Sequence, residues 1–536
     1  VIRRGLALLV GLAGVLLWLA APASAHATLV TSNPADGARL KTAPATVTIT
    51  FDESVGLGSL GYLHVTDQTG RRVDIGNAGH PNGDGTVISV GLRSGLGDGT
   101  YTESFRVISA DSHPVAGVVR FVVGNGVLTA GPAGPSAVDR ATGWAMDLAR
   151  LISFAGFAAL GGAWLLVVVW PSGRADRRAR RIVWLGWGGL VVGTIGELLL
   201  QGPYAAGEGI GKVVNTSLVD GTLHTDYGQL HSLRLLLLGL VAIGLAWLGQ
   251  RLESVSRSEL ALLLFAPALA WTFAMTGHPE TTRPTWLSVS VDIAHLCAMA
   301  AWVGGLLLVG LALLPRNESA EDAVVLPRFS GVAFGAVCVI ALSGSYAAYR
   351  GVGSLAALVQ TSYGRLVLVK IVLFLGLITL GYISRQALRG AMPQRLRRSV
   401  LVEIVLAGLV LTATSVLVAQ PRGPEALAVS YQRPVSRVAD LGGGQSVEVT
   451  ADPGKHGNVT VTVQVLGGAA PQSVSATATQ TARQIGPLPI PLSRQAPKLL
   501  AASGVNLPVA GTWTFDLVVT QSEFAATTVS VNLRLH

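Results

Sequence analysis

Residues 286–314 read WLSVSVDIAHLCAMAAWVGGLLLVGLALL, an apolar run whose only charged or imidazole side chains are Asp292 and His295. About 20 apolar residues in a helix cross the ~30 Å hydrocarbon core of a bilayer, so this stretch is long enough to span one. Ionisable groups are costly at that depth and mark function by default. Asp292 stands three residues before His295 and Met299 four after it, so all three share one helical face. Imidazole and thioether together suit a soft ion such as Cu(I).

The rest of the chain agrees with a membrane reading. Of 536 residues, 50% are hydrophobic and only 13% charged. Around the first run lie seven more, giving candidate spans at roughly 144–170, 181–202, 231–249, 258–276, 286–314, 328–349, 364–384 and 399–419. The spacing predicts an eight-helix transmembrane bundle over 144–420. Basic residues crowd alternate loops. The loop 171–181 carries Arg174, Arg177, Arg178, Arg180 and Arg181, and 385–398 carries Arg385, Arg389, Arg395, Arg397 and Arg398. Loops 250–257 and 315–328 add Arg251, Arg257, Arg316 and Arg328. The opposite loops hold little more than Lys212, Arg283 and Arg350. By the positive-inside rule the basic loops face the cytoplasm, and an even span count puts both termini outside. The formal charge of +9 is thereby explained by orientation, and no nucleic-acid partner is expected. Cys297 and Cys338 both fall within spans and read as small buried apolar residues.

The termini are polar. Arg3-Arg4, an apolar run from Gly5 to Leu19, and Ala23-Ser24-Ala25 read as a secretory signal peptide over 1–25. Cleavage after Ala25 makes His26 the mature N-terminus, an α-amine and an imidazole on one chelating unit. Residues 26–128 alternate in short runs such as Thr46–Phe51, Tyr101–Ile108 and Gly117–Val123, which predicts a small β-sandwich. A Gly/Pro-rich linker over 129–143 follows. Residues 425–536 alternate likewise and predict a second external β-sandwich, whose His456 and His536 are thin material for a metal site.

The strongest ligand cluster outside the spans is Ser109-Ala110-Asp111-Ser112-His113-Pro114-Val115. In an extended segment Asp111 and His113 project to one side. With the amine and ring of His26 they supply three nitrogens and one oxygen, a set suited to tetragonal Cu(II) rather than tetrahedral Zn(II). His64 and His80 read as structural or solvated. In the spans, His278 at an external end is a candidate mouth ligand, and His224 and His231 flank the third span. Glu197, Lys370 and Glu403 are buried charges better explained by interhelical pairing.

The openings HATLVTSNPADG (26–37), TITFDE (48–53) and FRVISADSHPV (105–115) resemble the CopC copper-binding domain. That resemblance implies Cu(II) ligation by His26, Asp111 and His113. The domain contains no methionine, so a thioether Cu(I) site there is not expected. DIAHLCAMAAWVGG (292–305), SGSY (343–346) and TSYGRLVLVK (361–370) resemble CopD, the membrane partner of CopC.

The resulting expectation is a multi-pass protein of the cell membrane that captures Cu(II) outside and passes copper across, inward by family analogy. Its partners are copper and the bilayer, with room for an external copper chaperone or a reductase. The sequence carries neither a P-loop nor a DKTG motif, so ATP-driven pumping is not expected. An alternative is a histidine-brace copper oxidase or oxygenase. An aspartate ligand would fill the site that oxygen needs, so the chain is not read as an enzyme. A second alternative is a membrane-anchored copper sensor or scaffold.

Overall fold

The computed structural model describes residues 27–57, 60–110, 112–125, 138–250, 260–316, 321–390, 392–432, 434–522 and 525–536. The signal-peptide stretch, His26 and Asp111 lie outside the described residues.

The N-terminal domain is built from β1 (Leu29–Asn33), β2 (Ala38–Leu40), β3 (Thr46–Phe51), β4 (Val55–Gly56), β5 (Tyr62–Asp67), β6 (Val87–Gly91), β7 (Gly99–Ser109) and β8 (Pro114–Val123). One sheet runs β1-β3-β6; the other runs β2-β8-β7-β4, with β5 also pairing β7. The alternation read from sequence is the physical reason. Val47 and Ile49 of β3, Leu63 and Val65 of β5 and Val107 of β7 all have 0% exposure and meet in one core. Phe51 packs edge-on against Phe105 across the two sheets, ring centroids 5.6 Å apart.

The membrane region holds α1 (Arg140–Val168), α2 (Arg177–Ala206), α3 (Asp226–Leu248), α4 (Leu262–Ala274), α5 (Thr285–Leu313), α6 (Asp322–Val352), α7 (Ser362–Arg389) and α8 (Pro393–Leu417). Seven of these are long and apolar enough to cross a bilayer. The eighth expected span, 258–276, is represented by α4, a shorter apolar helix. The α1–α2 contact is a close backbone approach. A Cβ on Gly156 would meet the Leu190 nitrogen at 2.3 Å, and one on Gly186 the Leu160 nitrogen at 2.4 Å. Small residues permit this where lipid offers no hydrophobic drive between helices. The expectation of two buried cysteines needs correction. Cys297 is half-buried, and Cys338 is exposed on its helix. An apolar side chain in a span can face lipid as readily as protein, so hydropathy does not distinguish the two.

The C-terminal domain is a separate compact unit. It comprises β9 (Val435–Gly442), β10 (Gln445–Asp452), β11 (Gly457–Leu466), β12 (Ser473–Gln480), β13 (Ile485–Ile490), β14 (Ser493–Ala496), β15 (Leu499–Leu507), β16 (Gly511–Ser522) and β17 (Ala525–Leu535). Its sheets run β14-β15-β11-β10-β9 and β13-β12-β16-β17. Trp513, Phe515, Leu517 and Val519 alternate along β16 at 0% exposure and form its core with the valines of β10 and β11. His456 donates from Nδ1 to the carbonyl of His536 at 2.7 Å, a structural contact.

Candidate functional site

His113 closes the β7–β8 hairpin, and its side chain is buried. Ser109 holds the loop shut. Its N–H and its hydroxyl both donate to the His113 carbonyl, at 2.9 and 3.0 Å, and its Oγ lies 3.2 Å from the His113 N–H. Ser112 adopts φ +72° and donates its N–H back to the Ser109 carbonyl at 2.8 Å. Ser112 takes the left-handed conformation, and Pro114, directly after His113, starts β8. The expected same-side projection of Asp111 and His113 involves Asp111, which lies outside the described residues.

The start of the domain is tied to the same region. Ala27 is in the core, and the Thr28 N–H and hydroxyl both donate to the Asp52 carboxylate, the former at 2.7 Å. Leu29 pairs with Phe51 and Val55 pairs with Ser109. The register thus runs from residue 27 through β1, β3 and β4 to the root of the His113 loop.

The helical bundle grips that loop. Gln201 of α2 donates from Nε2 to the Ser112 carbonyl at 2.8 Å. Arg106 of β7 donates to the Ala205 carbonyl at 3.1 Å. The ring of Tyr204 stands 6.5 Å from that of His113, edge-on. His278 stacks on His113 with centroids 6.1 Å apart and planes 24° apart, and Tyr363 meets His278 at 6.2 Å. Two imidazoles assigned from sequence to separate places, a β-domain loop and a bundle mouth, are thus neighbours. The bundle side of the contact comes from the loops poor in arginine and lysine.

Deeper in α5, His295 Nδ1 lies 2.8 Å from Ser343 Oγ. The Ser343 hydroxyl donates to the Val339 carbonyl at 2.6 Å, so it accepts from His295 and fixes the hydrogen on Nδ1. The ring's lone pair is then on Nε2. Asp292 interacts electrostatically with Lys370 of α7 and with His278. Met299 packs at the edge of the bundle core. Glu403 accepts from Ser384, joining α7 to α8, and Glu197 meets His231 and Arg234. Pairing, expected for all three buried charges, is what surrounds each of them.

His231 does not merely flank its span: it is wholly buried. His224 is exposed and bonded to the Asp220 carbonyl. His64 and His80 donate from Nδ1 to the Leu63 and Val87 carbonyls, and partial burial lowers the His64 pKa. Within the quoted cluster the sequence assigns Ser109 no role of its own, and it does not single out Gln201, Tyr204 or Arg234. Polar residues near the ends of apolar runs were the available signal for the last three. Among the described residues, no group of three or more His, Cys, Asp or Glu side chains converges to hold a metal.

Residues 29–124 match the CopC domain family, and residues 323–417 match the family described as copper resistance protein D, CopD. The chain is a CopC–CopD fusion. It is 29% identical over 455 residues to the copper transport protein CutJ of Bacillus subtilis (strain 168), covering 82% of each chain. Copper resistance protein C of Xanthomonas campestris pv. juglandis is 37% identical over 108 residues, which is 19% of this fusion and 84% of that protein. The crystal structure of CopC from Methylosinus trichosporium OB3b aligns at 25% identity over 20% of this chain and 99% of that one, with a TM-score of 0.17. These names are of copper transport and resistance proteins rather than enzymes. The CopC match includes Asp111 and His113 and begins after His26. The CopD match takes in Ser343, Lys370 and Glu403 but lies beyond His278, His295 and Met299.

Proposed function

We propose that this CopC–CopD fusion captures Cu(II) on the external side of the cell membrane and passes copper inward through its helical bundle. The observation that carries the reading is the stack of His113 on His278. It brings the loop of the CopC domain and the mouth of the bundle together, ring against ring.

In this reading His26, Asp111 and His113 are the capture ligands, with the His26 α-amine as a fourth donor. Three nitrogens and an oxygen suit Cu(II) in a tetragonal field. His278 receives the ion, and His295 with Met299 on α5 carries it further. The imidazole–thioether pair favours Cu(I), so reduction falls between capture and passage. An external reductase supplies the one electron of that step, and an external chaperone delivers the copper. The loops that meet His113 are the ones poor in basic residues, which supports an external placement of the CopC domain and of both termini.

The test begins with the mature N-terminus. Mass spectrometry should find His26 first. Adding one residue before it displaces the amine, and a competition titration should then show Cu(II) binding at least about tenfold weaker. Binding should also weaken at acid pH, since the amine and imidazoles coordinate only when deprotonated. Unchanged affinity in the extended protein contradicts the ligand set.

A further inference from the structure

One turn deeper than Gln201 on α2, Glu197 faces His231 and Arg234 of α3, with exposures of 5%, 0% and 0%. His231 Nδ1 lies 2.8 Å from the Tyr227 carbonyl. A carbonyl only accepts, so Nδ1 carries a hydrogen. His231 Nε2 lies 3.0 Å from Glu197 Oε2. A neutral imidazole with its hydrogen on Nδ1 offers only a lone pair at Nε2, and an ionised carboxylate offers only lone pairs. Two acceptors do not hold a 3.0 Å contact in a buried site. Hydrogen bonds at both ring nitrogens together require a further proton, on the ring as an imidazolium or on the carboxylate as a carboxylic acid.

The surroundings are fixed. Arg234 Nη1 stands 3.8 Å from the same Oε2. The guanidinium donates to the Thr272 hydroxyl and carbonyl of α4 at 2.9 and 3.1 Å and lies 3.6 Å over the Phe273 ring. From α1, Arg150 pairs with Asp147 at 3.4 Å and lies over the Tyr204 ring of α2. Tyr227 stacks on His231 with centroids 4.0 Å apart. The two arginines balance Glu197 and Asp147 in formal charge, so the extra proton is the cluster's one unbalanced charge. Arg234 favours the carboxylate, which places that proton on the His231 ring.

We propose that the Glu197–His231 pair is a proton-binding site inside the bundle, and that copper passage moves a proton on or off it. The coupling half rests on the transport reading above. Removing the proton leaves two acceptors in contact, which weakens the tie between α2 and α3. Gln201 moves with α2, and Gln201 holds the loop that carries His113. By linkage, copper on that loop must in turn shift proton binding. Buried carboxylate–histidine pairs are suited to relay work in membrane proteins.

Two measurements on the full-length protein test this. In bilayer nanodiscs, nitrogen NMR of histidine-labelled protein, with infrared spectroscopy for carboxylic acids, should show the pair protonated at pH 8. A neutral His231 beside an ionised Glu197 overturns the site, and this experiment needs no variant to fold. In proteoliposomes, a gradient of one pH unit should shift the steady-state copper ratio about tenfold per proton coupled. Glu197→Gln keeps a donor facing Nε2 but has no proton to exchange, so its copper ratio should ignore the gradient. Wild-type flux indifferent to the gradient, or a Glu197→Gln response equal to wild type, overturns the coupling and leaves transport standing. A protonated pair in a protein that moves no copper defeats the transport reading and the coupling with it, and leaves the site.

Discussion

His113 of the CopC domain stacks on His278 at the head of the bundle, with ring centroids 6.1 Å apart. Neither residue's neighbourhood in sequence contains the other. The contact exists because Gln201 and Arg106 fix the β7–β8 hairpin against the end of α2. It brings an imidazole of the CopC domain against an imidazole of the helical bundle.

Ser109 sets the shape of the loop. Ser109→Ala removes the hydroxyl that both donates to the His113 carbonyl and receives its N–H. The expected cost is about 1–2 kcal/mol of local stability, with weaker Cu(II) binding and unchanged helical content. Hydrogen exchange across residues 109–114 is the direct check.

Ser343 sets the tautomer of His295. Ser343→Ala should leave Cu(II) affinity at the external site unchanged while lowering copper flux in proteoliposomes by about tenfold, in the range typical of outer-shell partners. Ser343→Thr, which keeps the hydroxyl, should recover most of it.

Glu103 of β7 is fully buried in the CopC domain, with both carboxylate oxygens unbonded. Burial, with a smaller contribution from Asp36, pushes its pKa up to about 8. An acid raised in the folded state keeps its proton there while the unfolded chain ionises. Its stabilising effect is therefore full below the ordinary value of 4.5 and lost as pH rises toward 8. Each pH unit crossed removes about 1.4 kcal/mol. Chemical denaturation of wild type should weaken from pH 5 to pH 8, and Glu103→Gln should flatten that slope.

Gly207 tests the docking of the two regions. Its φ is +72°, and a Cβ there would meet the Arg106 guanidinium at 2.6 Å. Gly207→Ala should preserve Cu(II) capture but reduce flux, because the hairpin is pushed from α2. Crosslinking between cysteines introduced at Ser112 and Gln201 should fall in parallel.

Most of the fold is legible in the sequence because both of its periodicities are strong. Thr46–Phe51 alternates and is β3; residues 286–314 are apolar throughout and become α5. Residues 258–276 contain Pro267, and among the described residues the apolar helix there is α4, Leu262–Ala274. The ligand candidates were legible singly, as imidazoles in unusual places. Their juxtaposition was not. His113 and His278 meet through a domain contact that no periodicity encodes, and Ser109, Gln201 and Ser343 act through hydrogen bonds that composition does not reveal. The proton proposed between Glu197 and His231 rests on two hydrogen-bond distances that no periodicity encodes.

The central claim is transfer from His113 to His278. It is tested most directly by measuring Cu(II) affinity and copper flux together in proteoliposomes of wild type, His278→Ala and His113→Ala. His278→Ala should keep the affinity of wild type and lose at least about nine-tenths of the flux, while His113→Ala loses both. Wild-type flux in His278→Ala would contradict the account.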